Sequence, residues 1–176
     1  MGRYLEVASS TRNQMKHTIE ILVNDEPGVM TRVAGLFARR GYNIDTITVG
    51  KTHTPGKSKI IITAIGDEKT IAQIEKQLNK LIDVLHVIEL KPEDAVTREI
   101  CLAKMTVAGK KEKEEIVNYA NVYKNKVVDI TPKTITVEIV GEPQKIDTFL
   151  ELMKPFGILD MSRSGVTGIA RENLKG

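Results

Sequence analysis

The sequence predicts an α+β protein built from two consecutive β-α-β-β-α-β units. Three observations predict it. Segments of apolar alternation, the period of a strand, take turns with segments whose apolar residues recur every three or four positions, the period of a helix. That order runs once before Lys91-Pro92-Glu93 and once after it. One stretch also recurs in kind: Ile60-Ile61-Ile62-Thr63-Ala64-Ile65-Gly66 is matched by Ile135-Thr136-Val137-Glu138-Ile139-Val140-Gly141.

The elements follow in chain order. His17–Val23 alternates, with Ile19, Ile21 and Val23 on one face. Pro27-Gly28 then opens a helix, proline suiting a first helical position. Val29, Val33, Leu36, Phe37 and Arg40 form its stripe, and Arg39-Arg40-Gly41 ends it with cations at the negative terminus and a glycine cap. Ile44–Val49 reads as a strand, Lys51–Lys57 with Pro55-Gly56 as a loop, and Ser58–Ile65 as an isoleucine-rich strand. Ile71, Ile74, Leu78 and Leu81 mark a second helix, and Val84–Leu90 a fourth strand, with Val84 and Ile88 on one face and Leu85 and Val87 on the other. Such a two-sided strand implies that the sheet face away from the helices is covered too, by a second copy or by the second domain.

The second half repeats this. Arg98–Val107 is a strand; Ile116, Tyr119, Ala120 and Tyr123 are a helical stripe; Val127–Thr131 and Thr134–Val140 are strands. Ile146, Phe149, Leu150 and Met153 form the last helix, and Ile158–Met161 the last strand. Each half is thus the split βαβ arrangement of ferredoxin-like domains, an antiparallel sheet with both helices on one face. The expected division is residues 1–15 as a disordered extension, 16–91 as the first domain and 96–172 as the second. The turn around Thr131-Pro132 is shorter than its counterpart in the first copy.

Composition narrows the function. The chain of 176 residues is 41% hydrophobic and 28% charged, ordinary for a globular protein, and a net charge of +3 leaves no electrostatic footprint for nucleic acid or membrane. Lysines alternate with acids, as in Lys110-Lys111-Glu112-Lys113-Glu114-Glu115, which is the pattern of a solvated helix face. The one cysteine, Cys101, lies in an apolar run and reads as a buried core thiol. No secretory signal and no membrane span is readable, so a cytoplasmic location is expected.

Catalytic constellations are missing from the pattern. His17, His53 and His86 are far apart with no cysteine spacing beside them, so no metal site is expected. Neither a phosphate loop nor a dinucleotide fingerprint occurs. RNA-recognition modules share the element order but stack bases on aromatic residues of the central strands. Here tryptophan is absent, the aromatic fraction is 4%, and Lys59-Ile60-Ile61-Ile62-Thr63 is aliphatic, so RNA binding is set aside.

What remains is Asp25-Glu26-Pro27-Gly28-Val29-Met30, followed by Gly41-Tyr42-Asn43-Ile44. The first segment joins a strand to a helix, where free N–H groups attract an anion such as an amino-acid carboxylate. Gly28 admits close approach to the backbone, and Asn43 offers both a donor and an acceptor. The plainer reading is a tight turn at Pro27-Gly28 and a loop cap at Asn43. On the residues alone, both readings stand.

These segments resemble the ACT domain, a small-molecule sensor of amino-acid metabolism. The longer stretches narrow the resemblance. Pro27-Gly28-Val29, continuing through Arg32-Val33-Ala34-Gly35-Leu36-Phe37-Ala38-Arg39-Arg40-Gly41-Tyr42-Asn43-Ile44, is similar to acetolactate synthase (acetohydroxyacid synthase) small subunits. So are Ile74 through Leu85 and, in the second half, Arg98-Glu99-Ile100, Val128-Asp129-Ile130-Thr131-Pro132 and Arg163-Ser164-Gly165-Val166. The resemblance covers residues 17–172. It implies an N-terminal ACT domain with an ACT-like second domain, no catalysis and no cofactor in this chain, and a large catalytic partner subunit that holds thiamine diphosphate, Mg²⁺ and FAD. It further implies activation of that partner and feedback inhibition by valine or another branched-chain amino acid. The effector would bind where two ACT domains of a homodimer pair. Carried over by position, Asp25, Gly28, Val29, Met30, Asn43 and Ile44 would form the site, with backbone contacts to the effector carboxylate at Gly28, Val29 and Met30. Asp25 stands where many relatives carry asparagine; a carboxylate there accepts from an effector amine and repels an effector carboxylate. The alternative is a free-standing ACT-type sensor that controls a different enzyme or a transcription factor; an enzyme in its own right fits worst.

Overall fold

A computed structural model describes residues 15–172. The chain divides into two compact units, one of residues 15–95 with 168–172 and one of Val96–Thr167. The second compact unit ends at Thr167, five residues before the end expected from sequence.

The first unit holds strands β1 (Met15–Asn24), β2 (Asn43–Lys51), β3 (Lys57–Gly66) and β4 (Val84–Glu89) and helices α1 (Val29–Arg40) and α2 (Glu68–Leu78). Its antiparallel sheet has the order β2-β3-β1-β4. Period-two alternation sends Ile19, Ile21 and Val23 of β1 and Ile60, Ile62 and Ala64 of β3 to one face. There they meet Val29, Val33, Leu36 and Phe37 of α1 and Ile71, Ile74 and Leu78 of α2. On the helix-free face, Ile61, Thr63 and Glu20 are buried as well, at 3%, 4% and 8% exposure.

Local chemistry ends the helices. Gly41 takes a left-handed conformation (φ 66°); its amide bonds to the Ala38 carbonyl and that of Tyr42 to the Phe37 carbonyl. This is a Schellman cap, closed by an edge-on contact of the Phe37 and Tyr42 rings. Asp67 caps α2 by accepting from the Thr70 amide at 2.8 Å, and those side-chain and backbone bonds from Thr70 hold its carboxyl below the usual range.

Several expectations are corrected here. Met15 belongs to β1, opposite Gly66, because its backbone continues the ladder; residues 1–14 of the expected extension lie outside the described residues. Pro27 is not a first helical residue. Gly28 has φ 85° and ψ −4°, and the Val29 amide bonds to the Glu26 carbonyl at 3.3 Å, so Glu26–Val29 is a type II turn with proline and glycine at its centre. A left-handed Gly28 defers the helix to Val29. Leu81 lies past the end of α2 and packs on the core from the following turn. In β4 the register slips opposite Leu22/Val23, so Val84 and Val87 both face the core, while Leu85 is exposed. Strict alternation fails there because a bulge inserts one residue.

The second unit repeats the plan with β5 (Ala95–Thr106), α3 (Lys110–Val122), β6 (Lys126–Ile130), β7 (Thr134–Gly141), α4 (Pro143–Met153) and β8 (Ile158–Arg163), in the sheet order β6-β7-β5-β8. A further short strand, β9 (Thr167–Ala170), pairs with β5 and has no counterpart in the expected pattern. Cys101, Ala103 and Met105 of β5 join Ile116 and Ala120 of α3, Ile135, Val137 and Ile139 of β7 and Phe149 and Met153 of α4 in its core. Cys101 is fully buried, and burial pushes its thiol up. Glu99, 1% exposed, receives two bonds from the Arg163 guanidinium at 2.8 and 2.6 Å, and Asp147 receives a third at 2.6 Å.

Candidate functional site: the turn before the first helix and the start of the second strand

The segment between β1 and α1 is fixed by its backbone. The Asp25 amide donates to the Gly56 carbonyl at 2.9 Å, tying the turn to the tip of the β2–β3 connection. Val29 is buried beneath the turn and Met30 half-buried, while the Asp25 and Glu26 side chains are exposed. Gly28 is the N-cap and has no side chain to cap with. The first-turn amides of Met30 and Thr31 therefore remain available, and they lie at the positive end of a helix of twelve residues.

Two residues not singled out from sequence complete this end. Arg32, one turn into α1, donates Nε to Asp83 Oδ2 at 2.8 Å and forms an ion pair with it. Its guanidinium reaches back over Gly28, so that a Cβ at Gly28 would stand 3.0 Å from Arg32 Nη1. The Asp83 carbonyl in turn accepts from the Asn24 amide at 2.9 Å. Arg32 could have been noticed as the residue four after Gly28, on the same helical face.

Asn43 and Ile44 are elsewhere. β2 runs parallel to β1 with β3 between them, so β2 begins where β1 begins. Asn43 pairs with Ile65 on β3, whereas Asn24, the last residue before the turn, pairs with Lys57. Those positions on β3 are roughly 26 Å apart at about 3.3 Å per residue. Ile44 lies opposite Ala64 and packs against the core; Asn43 is exposed. Within one chain, then, Asp25, Gly28, Val29 and Met30 come together, and Asn43 and Ile44 stand at the other end of the sheet.

β2 is also an edge strand. Its nine residues carry Ile47 and Val49 at 36% and 48% exposure, and no proline interrupts it. A long edge of this kind is a template for strand pairing.

Among the described residues no group of three or more His, Cys, Asp or Glu is placed to hold a metal ion, and no helix is long and apolar enough to cross a membrane. His17 is buried with its Nδ1 2.5 Å from Glu89 Oε1, and His86 is half-buried on β4.

Comparison with known proteins agrees for both units. A family model described as the small subunit of acetolactate synthase matches residues 98–172. One described as an AHAS small subunit-like ACT domain matches residues 19–86. A probable acetolactate synthase small subunit of Methanothermobacter thermautotrophicus is 48% identical over 155 residues, covering 88% of this chain and 92% of the relative. The acetolactate synthase small subunit of Buchnera aphidicola is 44% identical over 158 residues, covering 89% and 99%. The crystal structure of the acetolactate synthase small subunit from Thermotoga maritima superposes with a TM-score of 0.81 at 38% identity, covering 91% of this chain and 99% of that one. With two family models in order and relatives matched over nearly their full length, the chain belongs to the acetolactate synthase small subunit family.

Proposed function

We propose that this chain is the non-catalytic regulatory subunit of an acetolactate synthase in the cytoplasm, activating a large catalytic subunit and making it sensitive to valine or another branched-chain amino acid. Thiamine diphosphate, Mg²⁺ and FAD belong to the large subunit in this reading. Membership of the small subunit family supports the pairing with a large chain, and the ACT match over residues 19–86 supports a sensing role. The match of residues 98–172 to a model specific to this small subunit weighs against a free-standing sensor of another enzyme.

The observation that carries the effector reading is the separation of the two site segments. An effector cannot touch Gly28 and Asn43 of one chain across roughly 26 Å. Antiparallel pairing of β2 with β2 of a second copy would lay the Asn43 end of one sheet beside the Asp25–Met30 end of the other, because a two-fold axis exchanges the two ends. The open β2 edge supports that pairing. Each site would then take the helix start from one chain and Asn43 from its partner, with the effector carboxylate on the first-turn amides and the amine near Asp25.

Complementation tests this arrangement. Gly28→Asp and Asn43→Ala chains, each expected to lose valine binding alone, are unfolded together and refolded as a mixture. Half of the dimers are then mixed, and each mixed dimer regains one intact site, so about a quarter of all sites bind valine in calorimetry. A mixture as inert as its components means that Gly28 and Asn43 do not share a site across the pair.

A further inference from the structure

Arg32 stands where a helix ordinarily avoids a cation. The start of α1 is the positive end of its dipole, roughly half an elementary charge, and acids are favoured there. Yet the first turn holds no acid, and Gly28 brings no capping side chain. Instead the Arg32 side chain folds back over this end: a Cβ built on Gly28 would lie 3.0 Å from Nη1 and 3.8 Å from Cζ. One carboxylate offsets the charge. Asp83 Oδ2 takes the Nε–Nη2 edge of the guanidinium, 2.8 Å from Nε and 2.5 Å from Nη2. Nη1, the nitrogen beside Gly28, has no partner among the described residues. Asp25 and Glu26 are the other acids of the turn; both are exposed, and among the described residues neither forms an ion pair with Arg32. Asp83 is itself fixed. Its side chain is 15% exposed, and its carbonyl accepts from the Asn24 amide at 2.9 Å, which ties it to the end of β1.

We propose that Arg32 is a side-chain ligand of the effector carboxylate, and that Asp83 is the positioning residue that holds its guanidinium over Gly28. A guanidinium bonds a carboxylate through charge-assisted hydrogen bonds, stronger than those of neutral amides. The anion supplies the negative charge that the helix start lacks. The assignment rests on the effector reading and adds ligand class to it: the site selects an amino acid with a free carboxylate and discriminates against its neutral amide.

Calorimetry on the full chain tests this. Valine, leucine and isoleucine are titrated, then the amide of whichever binds, which keeps the side chain and the amine but not the carboxylate charge. Thermal melts control for folding. The parent should prefer the acid to the amide. Arg32→Gln should weaken acid binding at least about tenfold and amide binding less than about threefold, so that the preference collapses. The double variant Arg32→Gln with Asp83→Asn leaves no carboxylate unpaired and should show the same collapse without a folding cost. Asp83→Ala should narrow the preference with Arg32 intact, and Asp83→Asn, whose side-chain oxygen still accepts from Nε, should restore most of it. A parent that binds acid and amide alike overturns the assignment. So does an Arg32→Gln chain that keeps the parent's preference or loses both ligands equally, since a purely structural arginine would do either. In each of these cases the effector reading survives; a parent that binds none of the three amino acids overturns that reading and the assignment together.

Discussion

Replacing Gly28 with aspartate separates two effects that share one position. The first is backbone strain. Gly28 has φ 85°, and a residue with a Cβ held in the left-handed region loses about 1–2 kcal/mol. Alanine suffers this in full. Aspartate recovers roughly 0.3–1 kcal/mol from its charge at a helix N-terminus; in both variants the Cβ would stand 3.0 Å from Arg32 Nη1, so the end of that side chain has to give way. The second effect is charge against the effector. Two unit charges about 4 Å apart repel by roughly 4 kcal/mol at an effective dielectric of 20. Exposure of the turn and the nearby arginine reduce this, but about 1.4 kcal/mol already weakens binding tenfold. Gly28→Asp should therefore raise the half-inhibiting valine concentration at least about tenfold beyond Gly28→Ala, while alanine is the less stable of the two. The assay is the enzyme reconstituted with its large subunit, measured without effector and across a valine titration, with thermal melts of each variant. Equal shifts for alanine and aspartate would mean that turn geometry, not charge, matters there. An unshifted aspartate variant would remove the carboxylate from Gly28 altogether.

Two further predictions concern the scaffold. Arg163→Met leaves Glu99 buried without its cation, which should cost about 3–5 kcal/mol; chemical denaturation measures it, Glu99→Gln in the same chain should recover much of the loss, and a change under about 0.5 kcal/mol would mean that the Glu99–Arg163 pair does not stabilise the fold. Asp67→Ala removes the cap of α2 and should lower the melting temperature at neutral pH. Because the folded carboxyl titrates below its unfolded value, the stabilisation is full above the ordinary aspartate range and is lost as pH falls through the folded value; parent and variant melts should converge in acid, and a gap that persists there would show that the charge is not its source.

Much of the scaffold is legible in the residues because one physical rule decides each element. The stripe Val33, Leu36, Phe37 has only one way to be buried, and Arg39-Arg40-Gly41 both complements the helix dipole and supplies the left-handed cap. Where two rules compete, the residues mislead. Pro27-Gly28 satisfies a helix start and a type II turn equally; the left-handed Gly28 decides for the turn. At Leu85 a bulge shifts the pattern by one residue, which no local signal announces. β9 is four residues with a glycine, too short and too plain to register as a period. The site is half legible. The Asp25–Met30 turn is a local feature and reads as one. The distance to Asn43 belongs to topology: it follows from β2 running parallel to β1, and only the assembled sheet displays it. Arg32 and Asp83 are 51 residues apart and meet only in the fold.

The regulatory role itself rests on one measurement. The purified chain is titrated into its purified large subunit, and acetolactate formation from pyruvate is followed with and without valine, leucine or isoleucine. The expected result is no activity from this chain alone, a saturable rise in the activity of the large subunit, and inhibition by at least one of the three amino acids that appears only when both chains are present. Activity that stays flat across an excess of the small chain, or inhibition that is the same without it, would mean that this chain is not the regulatory subunit.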